Sequence, residues 1–326
     1  MGVGVSVIIP TYNRRDALIE TLGALYRCEF PAGQWETIVV DDGSNDGTTE
    51  AVQEWIAATG ASARYHRQTN AGPARARNQG ANLAAGANLI FIDNDIVVQP
   101  DFLSGHMEML AANPGCWVVG RIRHPPQLRE TPFGRYRDDL WEEFHQTHDG
   151  AAIAETKGIT AANLSLPAAD FARLGGFDEG FTIASCEDWE LGMRARRAGV
   201  RVLYHPGLVV LHNDWAIDLD RFCERQRLYS ISDVKLWRMY GDGSPRAGMI
   251  RENNGLDTDR DGLRLTVKKL MKIVMATPVF RALLRAITGL SERLFSDSGL
   301  TRRLYRTAIA VAIFRGVRDG LNKYDQ

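Results

Sequence analysis

The first hundred residues alternate short apolar runs with amphipathic stretches. Residues 5–10 (VSVIIP) form an apolar run closed by a turn, and predict a buried strand. Residues 14–27 carry Ala17, Leu18, Leu22 and Leu25 at helical spacing. A second strand is expected at 37–40, then a helix through Val52, Trp55 and Ile56. Residues 64–66 predict a third strand, 74–86 an Ala-rich helix, and 89–92 a fourth strand. Strands alternating with helices at this spacing imply a parallel sheet with right-handed crossovers. Beyond residue 100 the pattern is mixed. Strands are expected at 117–120, 200–204 and 208–211, and helices at 168–174 and 187–199. Residues 131–148, aromatic and charged, read as a helix or a mobile flap, and from about 217 the pattern is helical around a Gly/Asp/Asn-rich stretch at 241–262. The expected fold class is α/β: a mostly parallel, Rossmann-like sheet flanked by helices, with a C-terminal helical extension. Its expected divisions are 1–100, 101–220 and 221–326.

Composition changes this picture little, and charge changes it more. The apolar fraction is 44% and the charged fraction 24%, ordinary for a globular protein of 326 residues. Cys28, Cys116, Cys186 and Cys223 show no C-x-x-C spacing, which argues against a disulfide scaffold or zinc ribbon and for a reducing compartment. The N-terminus has no basic then apolar region, and no run of 18 apolar residues occurs. The expectation is therefore no signal peptide, no spanning helix and a cytoplasmic location. The net charge of −1 hides an asymmetry: residues 264–326 hold 13 Lys/Arg and 4 Asp/Glu, a charge of +9 that leaves −10 for the rest. A basic tail on an acidic body points to an anionic partner surface or to a solvated helical face.

The candidate chemistry sits where the predicted strands end, which is where open α/β sheets bind ligands. Asp93-Asn94-Asp95 places two carboxylates at i, i+2 as the fourth strand breaks into a loop. They can turn toward one hard cation, or cap backbone amides in a turn. Asp41 and Asp42 close the second strand before Gly43 and Ser44. They can accept from a base imide or a ribose hydroxyl, or form an Asx turn. Arg75 and Arg77 open a helix just before the Asp93 strand and suit a diphosphate, or lie on the surface. Glu187 and Asp188 start another helix, as caps or with one of them a general base. His212 closes an apolar strand, as a structural residue or a metal ligand.

The order of these segments resembles the family 2 inverting glycosyltransferases. The resemblance runs from Val5 to about His212 and rests on Ile9-Pro10-Thr11-Tyr12-Asn13, Val40-Asp41-Asp42-Gly43-Ser44, Asn70-Ala71-Gly72 with Ala76-Arg77-Asn78, and Asp93-Asn94-Asp95. It continues in Gly175-Gly176-Phe177-Asp178-Glu179, Glu187-Asp188-Trp189, and Tyr204-His205-Pro206 with His212. It implies the glycosyltransferase A-type fold, with a nucleotide-sugar-binding half to residue 100 and an acceptor-binding and catalytic half over 101–220. It implies Pro10 and Tyr12 lining the nucleobase pocket, Asp42 reading the base, and Thr11, Asn13 and Asp41 also binding the nucleotide. Arg75 and Arg77 would hold ribose or phosphates, Asp93 and Asn94 would approach the ribose, and Asp95, Asp93 and His212 would hold Mn or Mg. Asp188 would be the catalytic base, Glu187 would position acceptor or donor sugar, and the loop 158–163 would border them. The implied activity is hexosyl transfer from a nucleotide-diphospho-sugar, with uridine preferred, to a hydroxyl of a glycan, lipid-linked or small-molecule acceptor.

Three other classes fit less well. A sugar nucleotidyltransferase needs a Gly-rich loop ending in Arg after the first strand, where Pro10-Thr11-Tyr12-Asn13 stands. A dehydrogenase needs G-x-G-x-x-G there, and Gly2 and Gly4 precede that strand. A non-catalytic nucleotide-sugar-binding module would lack Asp95 or Asp188, and both are present. No nucleic-acid partner is expected. The resemblance stops before residue 220. For residues 264–318 the pattern predicts amphipathic helices, broken at Pro278 and Gly289, on an anionic membrane surface, or else packed on the catalytic domain or a second subunit of a homodimer. Lys268, Lys269, Lys272, Arg281 and Arg285 would lie at the headgroups, with Leu304, Ile309, Val311, Ile313 and Phe314 adding apolar contact.

Overall fold

The computed structural model describes residues 3–145, 153–214, 216–257 and 260–324. The chain divides into two compact units, Met1–Pro125 with His145–Trp215, and Pro126–Phe144 with Ala216–Gln326.

In the first unit the apolar runs become strands. β1 (Val5–Thr11) and β2 (Trp35–Asp41) are buried at every position. They pair in parallel, and β3 (Ala63–Arg67) extends β2 while β4 (Asn88–Ile92) lies along the other side of β1. Between them run α1 (Arg15–Leu25), α2 (Thr48–Thr59) and α3 (Pro73–Leu83). β1 thus has a neighbour on each side reached by crossovers in opposite directions. That is the switch point, where the strand ends splay and leave a crevice. α3 lies close over β1, because a Cβ at Gly80 would meet the Ile8 side chain.

The rest of the sheet is mixed in direction. β5 (Ile96–Val98), α4 (Phe102–Ala112), β6 (Cys116–Arg123), β7 (Ala154–Glu155), β8 (Asn163–Pro167), α6 (Ala168–Arg173), α7 (Glu187–Arg197) and β9 (Arg201–His212) complete the unit. Among the described residues the strand order is β3-β2-β1-β4-β8-β6-β9-β5, with β7 also on β9. β8 runs antiparallel to both β4 and β6, while β6 and β9 are parallel. The pattern did not predict β5, β7, β8 or α4. The strands expected at 200–204 and 208–211 are one strand, β9, whose register with β6 shifts so that His205 faces Gly120 and Val209 faces Arg121. Pro206, Gly207 and Leu208 form the bulge between them.

A polar knot sits inside this half. The ring of His106 on α4 bonds Ser165 Oγ at 2.8 Å and Asn163 Oδ1 at 2.9 Å. The Asn163 amide donates to the Leu208 carbonyl at 3.0 Å, which pins the bulge. Burial pushes the His106 imidazole down to about 4, so it stays neutral.

The second unit is helical. It holds α5 (Pro132–His145), α8 (Leu219–Tyr240), α9 (Ala247–Asn253), α10 (Leu263–Met275), α11 (Pro278–Phe295) and α12 (Gly299–Tyr324). The stretch expected as a helix or flap is helical to His145, and its residues 146–148 lie outside the described residues. Its Phe133 and Tyr136 pack with Phe222 and Tyr305.

Three expectations for the tail need correction. Gly289 lies within the continuous helix α11, and the bend of 86° falls between α10 and α11. Lys269 and Lys272 are buried rather than at a headgroup surface. They satisfy the Gly/Asp/Asn-rich loop, Lys269 Nζ donating to Asp261 at 2.6 Å and Lys272 Nζ to Asn253 Oδ1 at 2.7 Å. Finally, α12 buries Val311, Phe314 and Val317, so its apolar side belongs to the core of this unit. Among the described residues no single helix is long and apolar enough to cross a membrane.

Candidate active site

The carboxyl ends of β1, β2 and β4 bring the polar segments together. Thr11 ends β1, its Oγ1 accepting from Asn94 Nδ2 at 2.9 Å. Asn13 sits at φ 50°, a left-handed conformation that Asn tolerates better than most residues. Its Oδ1 accepts from the Asn45 N–H at 2.8 Å, tying this turn to the one after β2. Tyr12, beside it, is 49% exposed. Pro10 is buried in the strand.

Asp41 and Asp42 both spend their oxygens within the protein. Asp41 accepts from the Ser44 N–H at 2.8 Å, three residues on, and from the Tyr65 hydroxyl. Asp42 accepts from Gln68 Nε2 and the N–H groups of Ala71 and Gly72, each at 2.8 Å. It therefore shapes the loop that opens α3. Gly72 in that loop has φ 96°, and a Cβ there would lie 2.7 Å from the Thr182 carbonyl oxygen. Only glycine lets the two segments approach so closely.

α3 then distributes three side chains. Arg77 is 2% exposed and donates to Asp93 Oδ1 at 2.6 Å and to Glu187 Oε1 at 2.7 Å. Its guanidinium also lies 5.6 Å from the Phe177 ring centre. Burial disfavours its charge, and the two carboxylates more than offset that, so its pKa is raised. Asn78 receives the Phe177 N–H at 2.9 Å and donates to the Phe177 carbonyl at 2.9 Å, gripping the Gly175-Gly176-Phe177 turn. Arg75 is exposed and lies 4.0 Å from Glu179.

Two sequence expectations change here. Arg77, expected on ribose or phosphate, is the buried centre of an ion triad. Glu187, expected at a sugar, is 2% exposed, and its second oxygen accepts from the Ser185 N–H at 2.7 Å. Both are buried, and both spend charged atoms on protein partners.

Asp93, Asp95 and His212 converge. One ligand atom from each lies within 4.8 Å of the others, close enough for one ion. His212 Nε2 is 3.2 Å from Asp95 Oδ1, and Arg14 is 3.8 Å from the other Asp95 oxygen. Asp95 is buried, which disfavours its charge, yet His212 and Arg14 hold its carboxyl below the usual range. Asp95 Oδ1 thus faces the His212 ring inside the cluster. Two carboxylates with an imidazole make a donor set that suits Mn or Mg. The backbone supports the cluster too, as the Asn213 N–H donates to the Asp95 carbonyl at 2.7 Å. Sequence reasoning missed Arg14 and His124. The His124 ring stacks on His212 at 6.4 Å, placed there by the β6–β9 pairing that no local pattern reveals.

Asp188 follows Glu187 in the first turn of α7 and is half-buried, with Oδ1 accepting from the Trp189 N–H at 2.7 Å. Desolvation and then the charge of Glu187 push its carboxyl up to about 8, against the pull of Arg77.

With this geometry in hand, comparison with known proteins is decisive. Residues 6–161 match the family model of Glycosyl transferase family 2. The chain belongs to glycosyltransferase family 2. It is 31% identical over 258 residues to validoxylamine A glucosyltransferase of Streptomyces hygroscopicus subsp. jinggangensis, covering 71% of this chain and 58% of that protein. The chain thus spans little more than half the length of that relative. Among solved structures, it is similar to the mannosyltransferase PcManGT of Pyrobaculum calidifontis in complex with GDP-Man and Mn2+, with TM-score 0.65 and 20% identity over 100% of this chain and 88% of that one. It is also similar to S. aureus TarS 1-349 in complex with UDP, with TM-score 0.56 and 19% identity over 99% and 92% of the two chains. At such identities these likenesses carry the fold: a mixed, mostly parallel family 2 α/β sheet with C-terminal helices. The sheet of this family 2 chain therefore agrees with the fold its motifs implied.

Proposed function

We propose that this family 2 chain transfers a hexosyl group, with inversion, from a nucleotide-diphospho-sugar to an acceptor hydroxyl, using Mn or Mg. The carrying observation is the convergence of Asp93, Asp95 and His212 at the switch-point crevice, with Asp188 starting α7 near enough to feel the Asp93 charge. Exposed Tyr12 offers a face to a nucleobase, uracil for preference. The loop held by Asp42 forms the crevice wall beside it. A divalent cation held by Asp93, Asp95 and His212 would supply positive charge to the departing diphosphate.

The chain's own residues do the rest. Asp188 takes the proton from the acceptor hydroxyl. That oxygen then bonds the anomeric carbon, while the bond to the diphosphate oxygen breaks and its electron pair leaves with the nucleotide. Attack from the face opposite the leaving group inverts the carbon. Arg77, itself paired with Glu187, holds Asp93 in place, and Arg75 lies exposed where a phosphate can be met. Asp95→Ala should bind Mn at least about tenfold more weakly and lose about 10²-fold or more in turnover. Nucleotide-sugar turnover with and without EDTA, together with Mn titration of both proteins, tests this. Full EDTA-resistant turnover by the variant would refute the metal role, and Mn-dependent nucleotide binding without sugar transfer would leave a binding module.

A further inference from the structure

α10 and α11 are amphipathic in the reverse sense for globular helices. Four polar side chains of α10 and α11 point inward: Lys269, Lys272, Thr288 and Ser291 are buried. Their large apolar side chains point outward. On α10, Val267, Leu270, Met271 and Val274 are exposed and recur at helical spacing on the side away from Lys269 and Lys272. On α11, Leu283, Leu290 and Leu294 are 52%, 58% and 61% exposed, with Val279, Phe280 and Ile287 beside them. Scattered exposed leucines are ordinary, but a run along two successive helices marks an interaction surface.

Charge selects the partner. Residues 263–295 carry seven Lys/Arg and one acid. That acid, Glu292, is half-buried and accepts from the Tyr305 hydroxyl at 2.7 Å, so it does not oppose an anionic surface. Arg264 and Arg293 are exposed on the same helices. A cavity between α8, α11 and α12 is lined by Arg281, Arg285 and Arg315 with Leu219, Leu284 and Val311, and also by Glu224 and by Asp220, which pairs with Arg285. Arg281 Nε is buried with no hydrogen-bond partner among the described residues. Guanidinium forks over apolar walls suit a phosphate attached to a hydrocarbon. A second copy of the chain fits badly, since a two-fold interface would set one basic face against its equal.

We propose that α10 and α11 lie on an anionic phospholipid bilayer, with Leu283, Leu290 and Leu294 in the acyl boundary and the arginines at the phosphates. The bend of 86° between helices of 13 and 18 residues suits segments lying on a surface rather than one crossing it. Flotation of the full chain with vesicles tests this, using phosphatidylcholine alone or mixed with phosphatidylglycerol. The expected result is flotation with the mixed vesicles at low salt, weakened by high salt or by phosphatidylcholine alone. Leu283→Glu with Leu290→Glu should lower the bound fraction at least about tenfold. Melting temperature and nucleotide-sugar hydrolysis in solution should stay unchanged, since both positions are exposed and lie outside the candidate active site. Failure of the full chain to float, or equal flotation of the variant, overturns the proposal. So does a soluble dimer, seen by sedimentation, that the two substitutions dissociate.

Discussion

Asp188 carries opposite demands in one side chain. The proposed transfer needs its carboxylate, while desolvation and Glu187 favour the protonated form, up to about 8. The rate should therefore rise with pH toward about 8, which an initial-rate profile at saturating metal would show. The stability consequence has the opposite sign. The folded-state value lies above the ordinary 3.8, so the contribution is fully present below 3.8 and is lost as pH rises through about 8. Asp188→Asn stays neutral throughout. It should lose about 10²–10⁴-fold in rate. It should also melt higher than the wild type above pH 8, by a margin that shrinks toward pH 4. Thermal melts across that range check both signs.

At the scale of elements, α3 does more than its short motif suggests. From one helix, Arg77 reaches Asp93 after β4 and Glu187 on α7, while Asn78 grips the turn at Phe177. Arg77→Met would leave Glu187 buried and unpaired, at a cost of about 3–5 kcal/mol. Adding Glu187→Gln should recover much of that stability but little activity, which urea unfolding and turnover of the single and double variants would show. The parallel half of the fold was legible because each strand is a continuous apolar run such as VSVIIP, and each crossover carries a helical period. β5, β7 and β8 were not, being two to five residues long and held by partners far away in sequence. The site was legible as residue types at strand ends, since Asp93, Asp95 and His212 do meet. Exposure was not legible: nothing local separates buried, paired Arg77 from exposed Arg75. For the same reason Lys269 and Lys272 read as headgroup contacts, although an acidic loop covers them.

At the scale of the molecule, the polar knot around His106 makes stability depend on pH. Its imidazole titrates at about 4 in the fold against 6.5 when exposed. The contribution is therefore complete above 6.5 and is lost as pH falls through about 4. Between pH 7 and pH 5 this costs about 2 kcal/mol. Urea unfolding at the two pH values should show a larger loss for the wild type than for His106→Gln, by about that amount. The same knot holds the β9 bulge through Asn163 and Leu208.

That bulge bears on how the chain can change length over generations. From Val209 to Leu211, β9 is paired residue by residue with β6. A single codon lost there would turn His212 to the other face of the sheet, away from Asp95. Pro206 and Gly207 have no opposite partner on β6 and form slack that can absorb an inserted or deleted residue before the pairing resumes. Insertions and deletions that spare His212 should thus gather at 206–207 and be absent from 209–212.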